Sequence, residues 1–163
     1  MKKVIVIGCS GSGKSYFSRL LRDKTGLPLY HLDMIYWTPE GNTIPKPEFR
    51  KKLSRIMDTD EWIIDGNYCS TMEMRMKACD TVIFLDYPTE LCLSGILQRK
   101  GKPRSDMAWQ NPLEDDDEEF VEFVKNYNTQ TRPKVIELLE KYSDKKIIIF
   151  NSREDSEKYL KSL

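Results

Sequence analysis

Short apolar runs alternate along the chain with longer segments of helical periodicity. The strand-like runs cover residues 3–7, 27–32, 62–64, 81–85 and 146–150. The last two are almost continuously apolar, as expected of strands that are covered on both faces. Helical patterns cover residues 14–24, 47–57, 89–98, 118–127, 134–142 and 155–163. This alternation predicts βαβ units with a parallel sheet, and therefore an α/β fold.

Length and composition favour one ordinary globular domain. The 163 residues are 39% hydrophobic and 32% charged, which fits a single domain over residues 1–163. No apolar run approaches the ~20 residues that span a bilayer, so we expect a cytoplasmic protein with no membrane association. The 26 basic and 26 acidic side chains cancel. Because nucleic-acid binders usually carry a basic excess, a nucleic-acid partner is not expected.

The cysteines give no sign of a zinc site or a disulfide framework. Cys9, Cys69, Cys79 and Cys92 include no pair with CxxC spacing, and His31 is the single histidine. Zinc sites need closely spaced thiolates or imidazoles. Free thiols in a reducing compartment are therefore the simplest interpretation.

Residues 8–15 match the pattern GxxxxGK[ST] between a predicted strand and a predicted helix. In that context, glycines let several backbone N–H groups converge at the helix N-terminus, which favours a phosphate. The lysine of the pattern reaches the β- and γ-phosphates, and the final hydroxyl binds Mg²⁺. The chain is thus expected to bind ATP and Mg²⁺. The predicted phosphate-binding residues are Gly8, Ser10, Gly11, Ser12, Gly13, Lys14 and Ser15.

The rest of the sequence, and its length, indicate which class of P-loop protein this is. The chain has no Asn-Lys-x-Asp string of the kind that reads guanine. It is also too short for a large ATPase motor. Small-molecule kinases are the leading class, with a small phosphoryl acceptor as partner.

Further motifs give the chain a family resemblance. Residues 62–68 resemble the Asp-Gly motif that follows the third strand of adenylate-kinase-like enzymes. The chain as a whole resembles the bacterial DNA topology modulation protein family of the P-loop kinase superfamily. The strings that carry this resemblance are residues 31–33, 36–37, 65–68, 75, 80–86, 101–107 and 132–134.

The resemblance implies a three-layer P-loop NTPase fold with a five-stranded parallel sheet in the order 2-3-1-4-5. It also implies an acceptor-binding helical segment at residues 34–60 and a helical lid insertion at residues 99–113. Within the lid, Arg99 and Arg104 are expected to act as catalytic residues that neutralise charge on the transferred group. The alternative for these arginines is a solvated basic loop.

Carboxylates at the ends of the predicted strands are candidates for the chemistry. In the implied strand order, Asp65 lies beside the P-loop strand and would orient Mg²⁺ together with Ser15; its alternative role is a structural cap. Asp33, taken to close the second strand, would accept the proton of a substrate hydroxyl or hold the substrate. His31 is interpreted as a core or pocket residue, with a catalytic base as the alternative. Asp86 is interpreted as a residue that starts a helix.

The acceptor site is predicted from arginines and aromatic residues. Arg50 and Arg75 resemble acceptor-binding arginines of nucleotide kinases, and a guanidinium matches a phosphate well. Tyr36, Trp37 and Tyr68 would stack on the acceptor, although aromatic residues are more often part of a core. The two arginines favour a phosphate-bearing acceptor. A nucleoside monophosphate, a nucleoside and another small hydroxyl compound all remain open.

The remaining candidates lie near the C-terminal end of the chain. Arg132 resembles a further phosphate-facing arginine, and Ser152 and Arg153, with Asn151, would bind the base of ATP. We expect a monomer or a weak homodimer. Two other functions compete with the kinase: a nucleotide-gated regulatory or DNA-associated protein with little catalysis, and a bare ATP hydrolase.

Overall fold

Five parallel strands form the centre of the computed structural model, which describes residues 1–99 and 118–163. The strand order is β2-β3-β1-β4-β5, so the predicted α/β sheet and its order 2-3-1-4-5 are confirmed. The strands are β1 (Lys3–Gly8), β2 (Leu29–His31), β3 (Trp62–Asp65), β4 (Thr81–Leu85) and β5 (Lys146–Phe150).

Helices cover both faces of the sheet and complete three layers. They are α1 (Lys14–Thr25), α2 (Leu32–Tyr36), α3 (Lys46–Met57), α4 (Cys69–Ala78), α5 (Thr89–Arg99), α6 (Glu118–Lys125), α7 (Arg132–Lys141) and α8 (Arg153–Ser162). A π-helical turn at Tyr127–Thr131 leads into α7. Pro133 lies in the first turn of α7, where its missing N–H leaves no helical hydrogen bond unmade.

The core is divided by the sheet because successive strand residues point to opposite faces. Val4 and Val6 of β1 contribute to a cluster with residues of α1, α5, α6 and α8. Ile5 and Ile7 contribute to the opposite cluster, with residues of α3, α4 and α7. All four side chains are fully buried. The continuous apolar strands therefore result from a sheet that is covered on both sides.

Two helices differ from the sequence prediction. β2 ends at His31 because its partner β3 ends at Asp65, directly opposite. Leu32 then begins α2, so the expectation that Asp33 closes the second strand was wrong: it lies in the first turn of α2. Helix α4, at Cys69–Ala78, was not predicted at all.

None of the helices within residues 1–99 and 118–163 is long and apolar enough to cross a membrane. All four cysteines are free, as expected. The predicted lid at residues 99–113 lies outside the described residues, apart from the last position of α5.

Candidate active site

The candidate site lies along the carboxyl edge of the sheet, where the segments that follow each strand meet. The register aligns Asp65 of β3 with both His31 of β2 and Val6 of β1. On the other side of β1, Gly8 aligns with Leu85 of β4. In open parallel sheets, ligands bind at this edge.

The predicted phosphate-binding residues form the turn from β1 into α1. The Ser12 N–H donates to the Cys9 carbonyl at 3.1 Å, which closes the turn. Gly13 caps α1 in a left-handed conformation (φ 92°), and a Cβ added there would meet nothing within 4 Å. The Lys14 ammonium donates to the Cys9 carbonyl at 3.0 Å. The turn thus presents backbone and a cation at a helix N-terminus, a geometry that fits phosphate.

Helix α5 supports this turn through a contact between two glycines. A Cβ on Gly95 would lie 2.2 Å from the Gly11 carbonyl oxygen, and a Cβ on Gly11 would lie 2.0 Å from the Cys92 carbonyl oxygen. Both positions must therefore be glycine if the backbones are to approach so closely. This contact was not predicted from the sequence. A glycine inside a helical pattern was its only signal.

The thiols of Cys9 and Cys92 meet at the same contact. The hydrogen bond with Cys92 and burial both raise the pKa of Cys9, and nearby Lys14 only partly opposes them. Cys9 is thus held as a protonated, buried thiol in the floor of the P-loop, a state in which thiols are unreactive.

Asp65 is joined to His31 at the ends of β3 and β2. Nδ1 of His31 lies 2.5 Å from Oδ2 of Asp65, and the aspartate is almost fully buried. A carboxylate oxygen only accepts, so this bond requires the hydrogen on Nδ1. His31 was predicted to be a core or pocket histidine, and its pairing with Asp65 was not predicted, although the strand register places the two residues side by side.

The donor set near the P-loop fits Mg²⁺. Ser15, in the first turn of α1, and Asp65 supply a hydroxyl and a carboxylate, the hard oxygen ligands that Mg²⁺ prefers. Within the described residues, no group of three or more His, Cys, Asp or Glu could hold a metal ion. A cation here would therefore rely on few protein ligands and on substrate phosphates, which is how Mg²⁺ usually binds.

Asp33 lies beside a cluster of aromatic side chains, the aromatic wall, formed by Tyr36, Trp37, Phe49 and Tyr68. The Tyr68 hydroxyl donates to Oδ1 of Asp33; burial and the adjacent Asp33 charge raise the pKa of Tyr68. The rings of Tyr36, Phe49 and Tyr68 pack with centroids 5.0–5.5 Å apart. Trp37 contacts Tyr36 edge-on at 6.2 Å. The structure thus brings together four side chains predicted for this side, Asp33, Tyr36, Trp37 and Tyr68, with Phe49 added.

The position of Arg75 contradicts the prediction that this arginine binds an acceptor phosphate. The side chain is fully buried, and its Nη atoms donate to the carbonyls of Gly66, Asn67 and Tyr68 at 2.8–3.2 Å. Its Nε donates to the Thr71 hydroxyl. Burial lowers the pKa of Arg75 to about 10, so it stays charged at neutral pH. Arg75 shapes the loop after β3 and has no surface on which to bind an acceptor phosphate.

Arg50 and Asn67 flank the same loop. Arg50 is exposed on α3, and its Nη1 donates to the Ser70 carbonyl at 3.2 Å. Both polar atoms of the Asn67 side chain are buried, without a hydrogen-bond partner in the part of the chain that the structure describes. An unpaired buried amide is costly, so Asn67 is a residue that a ligand or a water molecule would satisfy.

On the β4 side of the P-loop, Arg132 is bound to Asp86. Its Nε and Nη2 donate to the two carboxylate oxygens at 2.9 and 2.7 Å, and the bond raises the pKa of Arg132. Asp86 does not start a helix, contrary to the prediction, because α5 begins at Thr89. An open cleft of about 370 Å³ lies here, lined by Asp86, Tyr87, Pro88, Asn128, Arg132 and Asn151.

The predicted base-binding residues follow β5 beside this cleft. The Ser152 hydroxyl accepts the Asp155 N–H at 3.2 Å and caps α8. Arg153 is exposed in the first turn of α8. The predicted catalytic residue Arg104 lies outside the described residues, and so does the side chain of Arg99.

No protein-family model matches the chain, and no curated protein matches it. Several solved structures share its fold. A shikimate kinase from Acinetobacter baumannii in complex with shikimate gives a TM-score of 0.66 at 16% identity, covering 99% of this chain and 90% of that one. A shikimate kinase from Bacteroides thetaiotaomicron gives 0.58 at 16% identity, with 98% and 94% covered. An unliganded sugar kinase from Janibacter sp. HTCC2649 gives 0.59 at 18% identity, with 99% and 91% covered. The chain has the fold of P-loop kinases.

Proposed function

We propose that the protein is an ATP-dependent kinase that transfers the γ-phosphoryl group to the hydroxyl of a small molecule. The observation that carries this proposal is the row of groups along one sheet edge: the phosphate cradle after β1, Asp65 at the end of β3 and Asp33 after β2. Phosphoryl transfer needs mainly positioning and charge neutralisation, and this row offers both. The structural neighbours are named for small acceptors, shikimate and a sugar.

On the nucleotide side, the turn of residues 8–15 holds the phosphates through its backbone N–H groups and Lys14. Ser15 and Asp65 are the residues that would hold Mg²⁺. When bound, Mg²⁺ neutralises charge on the β- and γ-phosphates. His31 fixes the orientation of Asp65 through the bond at 2.5 Å, as an outer-shell partner does for a metal ligand.

On the acceptor side, Asp33 holds the acceptor hydroxyl and takes its proton. The hydroxyl oxygen forms a bond to the γ-phosphorus while the bond from that phosphorus to the β–γ bridging oxygen breaks. ADP leaves with the bridging oxygen, and Asp33 returns the proton to solvent. The Tyr68 hydroxyl, bonded to Asp33, fixes the direction of the carboxylate.

Further arginines complete the proposal. Arg99 and Arg104 would close over the phosphates as a lid and neutralise developing charge. Arg132 would face the phosphates from α7, and Ser152 and Arg153 would line the base site. At family level, the motif order supports a place in the DNA topology modulation protein family, among adenylate-kinase-like enzymes.

The test is ATP consumption by the purified protein with and without Mg²⁺, alone and with a panel of nucleosides, nucleoside monophosphates, sugars and polyols. Stimulation by an acceptor, with a phosphorylated product visible by mass spectrometry, supports the kinase. Equal ATP turnover with and without every acceptor would instead indicate a hydrolase. ATP binding without turnover, together with salt-sensitive DNA binding, would favour the regulatory alternative.

A further inference from the structure

From the acceptor side of the site we infer the class of substrate: an uncharged, hydroxyl-bearing molecule such as a nucleoside or a polyol, in preference to a phosphate ester. This inference rests on the proposed kinase function and adds to it. It reverses the expectation of a phosphate-bearing acceptor, which was based on Arg50 and Arg75.

The arginines predicted for the acceptor do not form a phosphate site. A phosphate ester needs guanidinium or ammonium groups with free donors. Arg75 is fully buried, and its Nε and both Nη atoms donate to groups of the protein itself. Its role is to hold the loop at residues 66–68. Among the arginines predicted for the acceptor, this leaves Arg50, an exposed side chain whose Nη1 already contacts the Ser70 carbonyl.

Arg132 is a further arginine that could bind an acceptor phosphate, but it is paired with Asp86. Its guanidinium makes a two-point bond with Asp86 at 2.9 and 2.7 Å. Asp86 follows β4, whereas Asp33 follows β2, which lies three strands away in the order β2-β3-β1-β4-β5. The charge of Arg132 is balanced by Asp86 and lies away from the aromatic wall beside Asp33.

The aromatic wall beside Asp33 also disfavours a phosphate ester. Beside Asp33 lie the Tyr68 hydroxyl and the half-buried ring of Tyr36, and the buried ring of Phe49 packs against both tyrosines from the core. A carboxylate repels a phosphate ester held beside it, whereas it accepts a hydrogen bond from a hydroxyl. Aromatic rings bind the apolar face of a sugar or a base. The wall therefore favours a molecule with hydroxyls and no charge.

Asn67, next to Tyr68 on the same loop, offers neutral hydrogen-bonding groups. Its buried amide has a donor and an acceptor without partners in residues 1–99 and 118–163. A hydroxyl both donates and accepts, so a polyhydroxyl ligand can satisfy both atoms. The loop thus offers neutral hydrogen-bonding groups where a phosphate site would offer cations.

The experiment uses matched pairs: each nucleoside with its 5′-monophosphate, and each sugar or polyol with its monophosphate ester. ADP formation is measured with ATP and Mg²⁺, and products are identified by mass. We expect an uncharged compound to be phosphorylated with kcat/KM about tenfold or more above that of its ester, a difference that one unfavourable charge contact readily produces. The pairs are then repeated with Asp33→Asn. Loss of the base slows both members of a pair and cancels in their ratio. Loss of the negative charge removes the repulsion of the ester, so the ratio should fall towards one.

Three outcomes overturn the inference. If an ester is preferred to its uncharged partner, the substrate class is wrong while the kinase function stands. If Asp33→Asn leaves the ratio unchanged, the carboxylate does not select against charge. If a folded, ATP-binding protein transfers phosphate to no member of any pair, the proposed kinase function fails together with the inference.

Discussion

His31 and Asp65 form a hydrogen bond of 2.5 Å across the adjoining ends of β2 and β3. Asp65 lies directly beside the P-loop strand, since β3 pairs with β1. The histidine therefore controls where this carboxylate points. The hydrogen bond thus links the end of β2, which leads into Asp33, to the end of β3, which lies beside the P-loop strand.

The first prediction follows from that bond. His31→Ala should lower kcat about 10- to 100-fold and raise the Mg²⁺ concentration needed for half-maximal turnover, because outer-shell partners of metal ligands have effects of this size. His31→Asn, which keeps a side-chain N–H, should recover part of the loss. The measurement is turnover against Mg²⁺ concentration. Equal Mg²⁺ dependence in both variants and the wild type would show that His31 does not position Asp65.

The second prediction concerns the glycine contact between α5 and the P-loop. In an exposed helix, Gly→Ala stabilises by about 1 kcal/mol. At Gly95 the added Cβ would lie 2.2 Å from the Gly11 carbonyl oxygen, so Gly95→Ala should displace the P-loop and weaken ATP binding by about tenfold or more, a loss of about 1.4 kcal/mol. The measurement is the Kd for ATP by calorimetry.

Ser94→Ala is the matched control for Gly95→Ala. Ser94 is exposed on the same helix, so its substitution should leave ATP affinity unchanged and the fold slightly more stable. Unchanged ATP affinity in Gly95→Ala would mean that the P-loop does not depend on this contact.

The third prediction concerns Arg75. Arg75→Lys keeps the charge but loses the planar fork that joins three loop carbonyls. Buried donors and acceptors left without partners cost about 1–3 kcal/mol each, so we expect the free energy of unfolding to fall by about 3 kcal/mol. Arg50→Lys, on the exposed surface of α3, should change it by less than about 0.5 kcal/mol. Urea unfolding compares the two, and equal losses would contradict the structural role of Arg75.

The fourth prediction is a pH dependence of stability at the start of β1. Oδ2 of Asp80 accepts the N–H groups of Lys2 and Lys3 at 2.9 and 2.8 Å. Burial opposes ionisation, but the hydrogen bonds from Thr81, Lys3 and Lys2 outweigh it and lower the pKa of Asp80. A lowered carboxyl pKa adds stability above the unfolded value of about 3.9, and this contribution disappears as pH falls through the folded pKa.

Asp80→Asn should therefore destabilise the protein by about 1 kcal/mol at pH 7, since the site is exposed and solvent weakens the interaction. As pH falls below the unfolded value of about 3.9 and through the lowered pKa of folded Asp80, the difference from the wild type should shrink and then vanish, because the wild-type carboxyl becomes protonated. Urea unfolding at several pH values measures this. A difference that does not shrink on acidification below the unfolded pKa of about 3.9 would show that the charge of Asp80 does not contribute.

The fold could be predicted where local patterns decide the structure. The P-loop and the strands at Thr81–Leu85 and Lys146–Phe150 match the sequence prediction, because a phosphate cradle and continuous apolar runs are local signals. Helix α4 escaped prediction because its buried residues are Thr71, Met72, Arg75 and Met76. Two polar residues among these four break the apolar periodicity on which helix prediction depends.

The location of candidate residues at the carboxyl edge of the sheet could be predicted from the sequence, whereas their hydrogen-bond partners could not. That Asp33, Asp65 and Tyr68 share one edge followed from the strand order. Which groups an arginine meets depends on tertiary contacts: Arg75 turns inward to loop carbonyls, and Arg132 meets Asp86 from 46 residues away. A guanidinium that serves the fold and one that serves a ligand look the same in a sequence.

The central claim is tested most directly by following the γ-phosphoryl group itself. The protein is incubated with Mg²⁺ and ATP labelled in the γ-phosphoryl group, together with the acceptor found in the panel, and the label is traced by mass. The wild type should place the label on the acceptor, and Lys14→Ala, shown to be folded by circular dichroism, should lose this transfer by a factor of about 100 or more. Transfer at the wild-type rate by folded Lys14→Ala, or label that appears only in inorganic phosphate, would contradict the account.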